Sequence, residues 1–559
     1  MEQTNRTVDI TEAVKQSKGM QQRPGLSYRL RRPGSFISSN FIFCILIGCA
    51  ALGFNLYHLG TPGIWFDEAF SVELARQPLP LMWHIIWGPE PNMELYYLFL
   101  HFWLGLTGFL GLLPTEFVVR LPSAIFAALS SVMVFLLGRR FLDLTTAIVG
   151  ASLYLLDFLQ LVYAQQTRSY SLQLLLISIS WYALFTLLTR DTHQKRWWAC
   201  YIAATALAVY THLFTLEILL AQVLAFAGLL ILPGPWRHQA RRRLVAFIVS
   251  LLAIIILIIP MLLVSRSGSK TGWLPVPHLH DVYNFFMIIS AYSKSYLLII
   301  FAVCALAIFV SLLAYLPQGE PLLDLFALNT TTDEKRELLL RQSLPVVFAL
   351  LCWLVVPIVL SYSVSEGSTR LFSTRYLVVV VPPLFLLVGL GVSTLRWRAV
   401  RIALTLALIG IALYYVPAYY RSAQVEDWNS AVPWLHQHYQ AGDGLVCYDS
   451  DVEQGCQISV EYYLHAYPTA AHFTGDSPGE FSWRNFGPAN PSLGPESAVD
   501  PKALAAYAAK HTRIFYILGR IPNDAAATRA QAAQSWLASH YHLIGRIVTP
   551  TVTISLYTT

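Results

Sequence analysis

Segments of about twenty apolar residues, each long enough to cross a bilayer as a helix, recur along this chain, and nothing else in the sequence restricts its fold as tightly. They fall at 36–58, 117–137, 144–163, 171–188, 198–212, 213–232, 244–264, 295–316, 344–363, 376–393 and 402–418. About eleven spans define a mostly α polytopic membrane protein. Only 13% of the residues are charged, about half the share in soluble chains. The net charge of +6 does not argue for nucleic acid as a partner, because the basic residues sit in short runs between the apolar segments, where they set topology.

Arg23, Arg29, Arg31 and Arg32 make the tail 1–35 read as cytoplasmic. No small-residue cleavage site follows, so 36–58 reads as an uncleaved anchor. The segment Leu95–Leu113 is also apolar, but counting it as a span would place Arg139, Arg140 and the run Arg190 to Arg196 outside. Leaving it out places these inside, with Arg237 to Arg243, Lys335 to Arg341 and Arg396 to Arg401. The expectation is an interfacial helix on the outer face. The first outer loop then runs over 59–116, within a transmembrane domain of 36–418. The outer face also receives 165–170, the turn 210–212, 265–284 and 366–376. Beyond Tyr419 charges become frequent, and helices alternate with short apolar strands at 444–449, 513–518, 541–548 and 551–557. Residues 419–559 are therefore expected to form an extracytoplasmic α/β domain. Five of the seven cysteines lie in apolar spans, whereas Cys447 and Cys456 lie in this domain, where a disulfide and free thiols are equally open.

The candidates for chemistry gather in the outer loops. Asp67 and Glu68 emerge just beyond the anchor, at membrane depth, flanked by Trp65 and Phe66. Adjacent helical residues face different ways, so one of the pair is read as reactive. Asp67 is that residue, and helix capping is its bland alternative. Glu68 is left to bind a metal ion, orient Asp67 or hold the loop. Glu90, Asn92 and Glu94 lead into the interfacial helix, followed by Tyr96 and Tyr97. Arg168, Tyr170, Arg370, Arg375 and Tyr376 lie at outer boundaries. An outer arginine runs against the usual bias, and a lipid phosphate is a natural partner for a guanidinium; snorkelling, or pairing with Glu366, is the alternative. His212 ends a short hairpin, and Glu217 and Asp157 sit within spans, where a carboxylate should face the protein interior. Phosphate-binding P-loop, HExxH, GxSxG and CxxC patterns are absent, and no nucleotide cofactor is expected. Asp449-Ser450-Asp451 is a weak three-residue pattern far from these loops.

Taken together, Trp65-Phe66-Asp67-Glu68, Leu95 to His101, Arg120-Leu-Pro-Ser-Ala124, Gln165 to Tyr170, Tyr210-Thr-His212 and Arg375-Tyr-Leu377 followed by Pro382-Pro383 resemble the GT-C membrane glycosyltransferases. The resemblance is strongest to family 39, with its protein O-mannosyltransferases and aminoarabinose transferases, and covers about residues 36–395. It implies transfer of a sugar, with inversion, from a polyprenyl-phosphate donor to an acceptor hydroxyl on the non-cytoplasmic face of the plasma membrane. The acceptor is a glycan, lipid or protein. Many relatives carry His-Pro-Pro or Lys-Pro-Pro before Leu-Tyr-Tyr; here Asn92-Met93-Glu94 stands instead, so Arg375 and Arg168 are left to hold the phosphate. A divalent metal at Asp67 and Glu68 stays open. The competing expectation is a transporter or flippase of lipid-linked sugars, which would show internal repeats; the chain shows none.

Overall fold

The computed structural model describes residues 33–558 apart from 233–234, 266–270, 272–273, 316–333, 368, 450–454, 468–470, 487–494, 520 and 522–523. Most of the basic N-terminal tail, Asp451 and the side chains of Lys335 to Arg341 lie outside the described residues. The chain forms two compact units, Met1–Leu46, whose described part begins the first helix, and Ile47–Thr559, which holds everything discussed below.

Each expected span is helical. The order is α1 (Pro33–Leu56), then three helices in the long first loop: α2 (Phe66–Arg76), α3 (Leu79–Ile86) and α4 (Glu94–Phe109). There follow α5 (Glu116–Phe141), α6 (Leu144–Leu155), α7 (Phe158–Ala164), α8 (Tyr170–Thr189), α9 (Gln194–Thr211), α10 (Thr215–Ile231), α11 (Pro235–Val264), α12 (Leu279–Ile289), α13 (Lys294–Tyr315) and α14 (Glu334–Ser365). Then come α15 (Thr374–Thr394) and α16 (Arg398–Ser422). Among the described residues, seven helices are long and apolar enough to cross a membrane. The protein is an integral membrane protein.

The segment expected as one span over 144–163 is broken. Helices α6 and α7 meet at 60°, and Asp157 caps α7, its Oδ1 accepting the Gln160 amide at 3.0 Å. An aspartate offers the backbone a side-chain acceptor in place of the next helical turn, so a break falls there. Helix α15 is buried from Tyr376 to its end. It packs so closely on α6 that a Cβ on Gly389 would lie 2.5 Å from the Thr146 carbonyl oxygen. Small residues permit this approach between membrane helices.

Helix α4, at 16 residues, presents Phe102, Leu106 and Phe109 outward and buries Tyr96, Tyr97 and Leu100. At 16 residues it is shorter than the roughly 20 residues that cross a bilayer without tilt. The C-terminal part contains α17 (Trp428–His438), β1 (Gly444–Tyr448), α18 (Gly455–Leu464), α19 (Pro501–Ala508), β2 (Arg513–Leu518), α20 (Asp524–His540), β3 (His542–Val548) and β4 (Thr553–Thr558). The sheet order is β1-β2-β4-β3, parallel between β1 and β2 and antiparallel elsewhere. Cys447 and Cys456 are joined in a disulfide across a Cα separation of 5.9 Å. One hydrophobic core runs from Ile64, Phe70 and Met82 through Tyr96 and Tyr97 to Trp428, Leu445, Phe515 and Ile554. The α/β part and the first loop therefore share a core.

Candidate active site

Helix α2 begins without a capping side chain of its own: Trp65 is extended and Phe66 opens the helix. Asp67 is thus the second helical residue, not the cap, and its carboxylate is free to point elsewhere. It points at two guanidiniums. Arg375 Nη1 donates to Asp67 Oδ2 at 2.9 Å, and Arg168 Nη2 lies 3.8 Å from the same oxygen. Arg375 stands at the start of α15 and Arg168 in the loop between α7 and α8. Arg168 is fixed further, its Nη1 donating to the Asp67 carbonyl and to Ser71 Oγ, both at 3.0 Å. Burial opposes the Arg168 charge, but Asp67, Tyr97, Tyr170 and Glu90 outweigh it and hold the guanidinium above its ordinary range.

Glu68 turns the other way and is fully buried. Arg120 grips it at two points, Nε to Oε1 at 2.9 Å and Nη2 to Oε2 at 2.6 Å. The Thr167 amide also donates to Glu68 Oε1, at 2.7 Å. Arg120 further donates to the carbonyls of Leu59, Pro62 and Gly63, so one guanidinium ties the loop before α2 to its first turn. A divalent cation does not fit this donor set. Asp67 stands between two cations, and both Glu68 oxygens are occupied.

Around Asp67 the fold gathers Glu90, Tyr97, Arg168, Tyr170, Arg375 and Tyr376, all within electrostatic reach of Arg168 or Asp67. The His212 ring packs against Tyr170 and Tyr376, with centroids 5.6 and 5.0 Å away. Its Nδ1 accepts the Phe214 amide. Its Nε2 and the Tyr97 hydroxyl are buried with no hydrogen-bond partner among the described residues.

Other expected residues stand apart. Trp65 lines a separate cavity of about 140 Å³ with Glu68, Arg120 and Gln166. Tyr96 lies behind Arg168, its hydroxyl 3.4 Å from Ser123 Oγ. Asn92 Oδ1 accepts the Leu213 amide at 3.4 Å. Glu94 is buried with neither oxygen hydrogen-bonded among the described residues, and burial, with a contribution from Glu90, pushes its carboxyl up to about 8. Arg370 folds back onto the carbonyls of Ser365 and Gly367 and makes no ion pair with Glu366. Glu217 is buried in α10 with neither carboxylate oxygen hydrogen-bonded among the described residues.

Residue type and boundary position do not nominate Arg120, Thr167, Ser71 and Glu426 as site residues. Arg120 had a signal: an arginine just inside a span needs a buried partner. Thr167 lies within the motif Gln165 to Tyr170 and Glu426 opens the run Glu426-Asp-Trp428, whereas Ser71 carries no signal.

Residues 97–263 match the family described as dolichyl-phosphate-mannose-protein mannosyltransferase. The fold is similar to that of ArnT from Cupriavidus metallidurans in the apo state, with a TM-score of 0.58 at 13% identity, covering 93% of this chain and 98% of that one. It is also similar to the same protein bound to undecaprenyl phosphate, with a TM-score of 0.51 at 13% identity, covering 92% and 98%. No curated protein sequence matches the chain. Part of the chain thus matches this mannosyltransferase family, and the chain as a whole shares the fold of ArnT.

Proposed function

We propose that the protein transfers a sugar from a polyprenyl-phosphate donor to an acceptor hydroxyl, with inversion at the anomeric carbon, on the extracytoplasmic face. The observation that carries this reading is the convergence of Arg375 and Arg168 on the single carboxylate of Asp67. Two guanidiniums beside one acid suit a site that receives an anion, because guanidinium donors match phosphate oxygens. The similar fold of ArnT, which binds undecaprenyl phosphate, supports this reading.

The donor phosphate takes the place of Asp67 as the partner of the guanidiniums and frees the carboxylate. The acceptor oxygen attacks the anomeric carbon while the bond from that carbon to the phosphate oxygen breaks. The bonding electrons leave with the phosphate, whose developing charge Arg375 and Arg168 stabilise. Asp67 takes the hydroxyl proton. Tyr97, Tyr170, Tyr376 and His212 form the wall against which the sugar lies. Glu68, gripped by Arg120 and Thr167, holds Asp67 and Arg168 in register and takes no part in proton transfer.

The reading is tested by incubating purified protein with a panel of polyprenyl-phosphate sugars and an acceptor extract. Release of polyprenyl phosphate supports it, and no release from any donor contradicts it.

A further inference from the structure

The first turn of α2 lacks a local cap, yet its leading amide is not bare. Phe66 N–H donates to Glu426 Oε2 at 3.0 Å, across 360 residues of chain. The same oxygen accepts Trp428 Nε1 at 2.7 Å, and Glu426 is 4% exposed. The neighbouring backbone is held from the same side. Gly63 N–H donates to Gln424 Oε1 at 2.8 Å, and Ile64 N–H to the Tyr463 hydroxyl at 2.7 Å. The approach is close enough that a Cβ on Gly63 would lie 2.9 Å from the Glu426 carbonyl oxygen. At the other end of α2, buried Glu73 meets His465 of the C-terminal part at 3.2 Å.

We propose that Glu426 is a positioning residue for the transfer reaction: it supplies the N-terminal cap of α2 from the C-terminal part and so aims the Asp67 carboxylate. This rests on the reading of Asp67 as the base. A capping carboxylate satisfies an otherwise orphaned amide and complements the positive end of the helix dipole. Asp67 is the next residue after the capped amide. Fraying of that turn would swing its carboxylate away from Arg375 while leaving the guanidiniums in place to hold a phosphate. The C-terminal part thereby acts on catalysis without contributing a group that touches substrate.

The test compares Glu426→Ala with Glu426→Gln in the full chain. The glutamine keeps an oxygen that accepts from Phe66 and Trp428; the alanine does not. Glu426→Ala is expected to lower kcat on the order of tenfold to a hundredfold, the scale of misplaced reacting groups, with little change in donor KM. Glu426→Gln should restore most of the rate. Amide exchange at 66–69 should accelerate in the alanine variant alone, a readout that does not depend on what the enzyme transfers. If Glu426→Ala is not recovered as a folded protein, Trp428→Phe removes the indole donor to the same carboxylate oxygen and should lower kcat in the same direction. Unchanged kcat in the alanine variant, an equal loss in the glutamine variant, or unaltered exchange at 66–69 overturns the proposal. Faster exchange in an enzyme that releases no polyprenyl phosphate at all would instead overturn the transfer reading and leave the cap standing.

Discussion

Arg375 and Asp67 are 308 residues apart in sequence and 2.9 Å apart in space, with both side chains only partly exposed. The pair joins the start of α15 to the first turn of a loop helix, and Arg168 completes it from a third element. In the donor-free protein the carboxylate is the anion that these cations hold. The proposed reaction exchanges it for a phosphate.

Arg375→Ala is expected to lower transfer by about two to three orders of magnitude, the range for removing one preorganised donor to a developing anion. Arg375→Lys should recover only part of this, because an ammonium cannot reproduce the guanidinium fork. Steady-state kinetics on both variants, with donor binding measured separately, check this.

Glu68 and Arg120 should report through stability. Removing one member of a buried ion pair strands the other, at a cost of roughly 3–5 kcal/mol. Arg120→Ala should also free the carbonyls of Leu59, Pro62 and Gly63. Thermal unfolding in detergent should show a large loss for either single alanine variant. The double variant should lose less than the sum of the two.

The joint between α2 and α18 should respond to pH. Burial, opposed by Gln457 and reinforced by Glu73, raises the Glu461 carboxyl to about 7. Folding therefore favours the protonated acid. Its contribution is complete below about pH 4.5, the ordinary glutamate range, and is lost as the pH rises through 7. The melting temperature should fall between pH 5 and 8, and Glu461→Gln should flatten that slope.

The Cys447–Cys456 bridge closes a short loop between β1 and α18. The loop-entropy relation gives about 2–3 kcal/mol for a loop of this size. Cys456→Ser should lower the unfolding midpoint accordingly, and reductant should lower it in the parent chain only.

Much of this architecture was legible beforehand because it rests on local composition. Apolar length marked the helices, and short apolar runs marked all four strands. The break at Asp157 was not read, since an aspartate in an apolar run gives no sign of whether it caps a new helix or pairs across the bundle. Asp67, Arg168 and Arg375 could be nominated by residue type and boundary position. That Glu68 would turn toward Arg120 and Glu426 would cap Phe66 could not, because these contacts join residues 52 and 360 apart, and no local spacing encodes them.

The most direct test of the account is the Asp67→Asn variant, assayed for release of polyprenyl phosphate from a polyprenyl-phosphate sugar in the presence of acceptor. The amide keeps the shape of the side chain and cannot take a proton from the acceptor hydroxyl. Transfer should fall by about 10²–10⁴-fold, the range for general acid–base catalysis, while donor binding and folding are retained. Turnover close to that of the unaltered chain would contradict the assignment of Asp67 as the base.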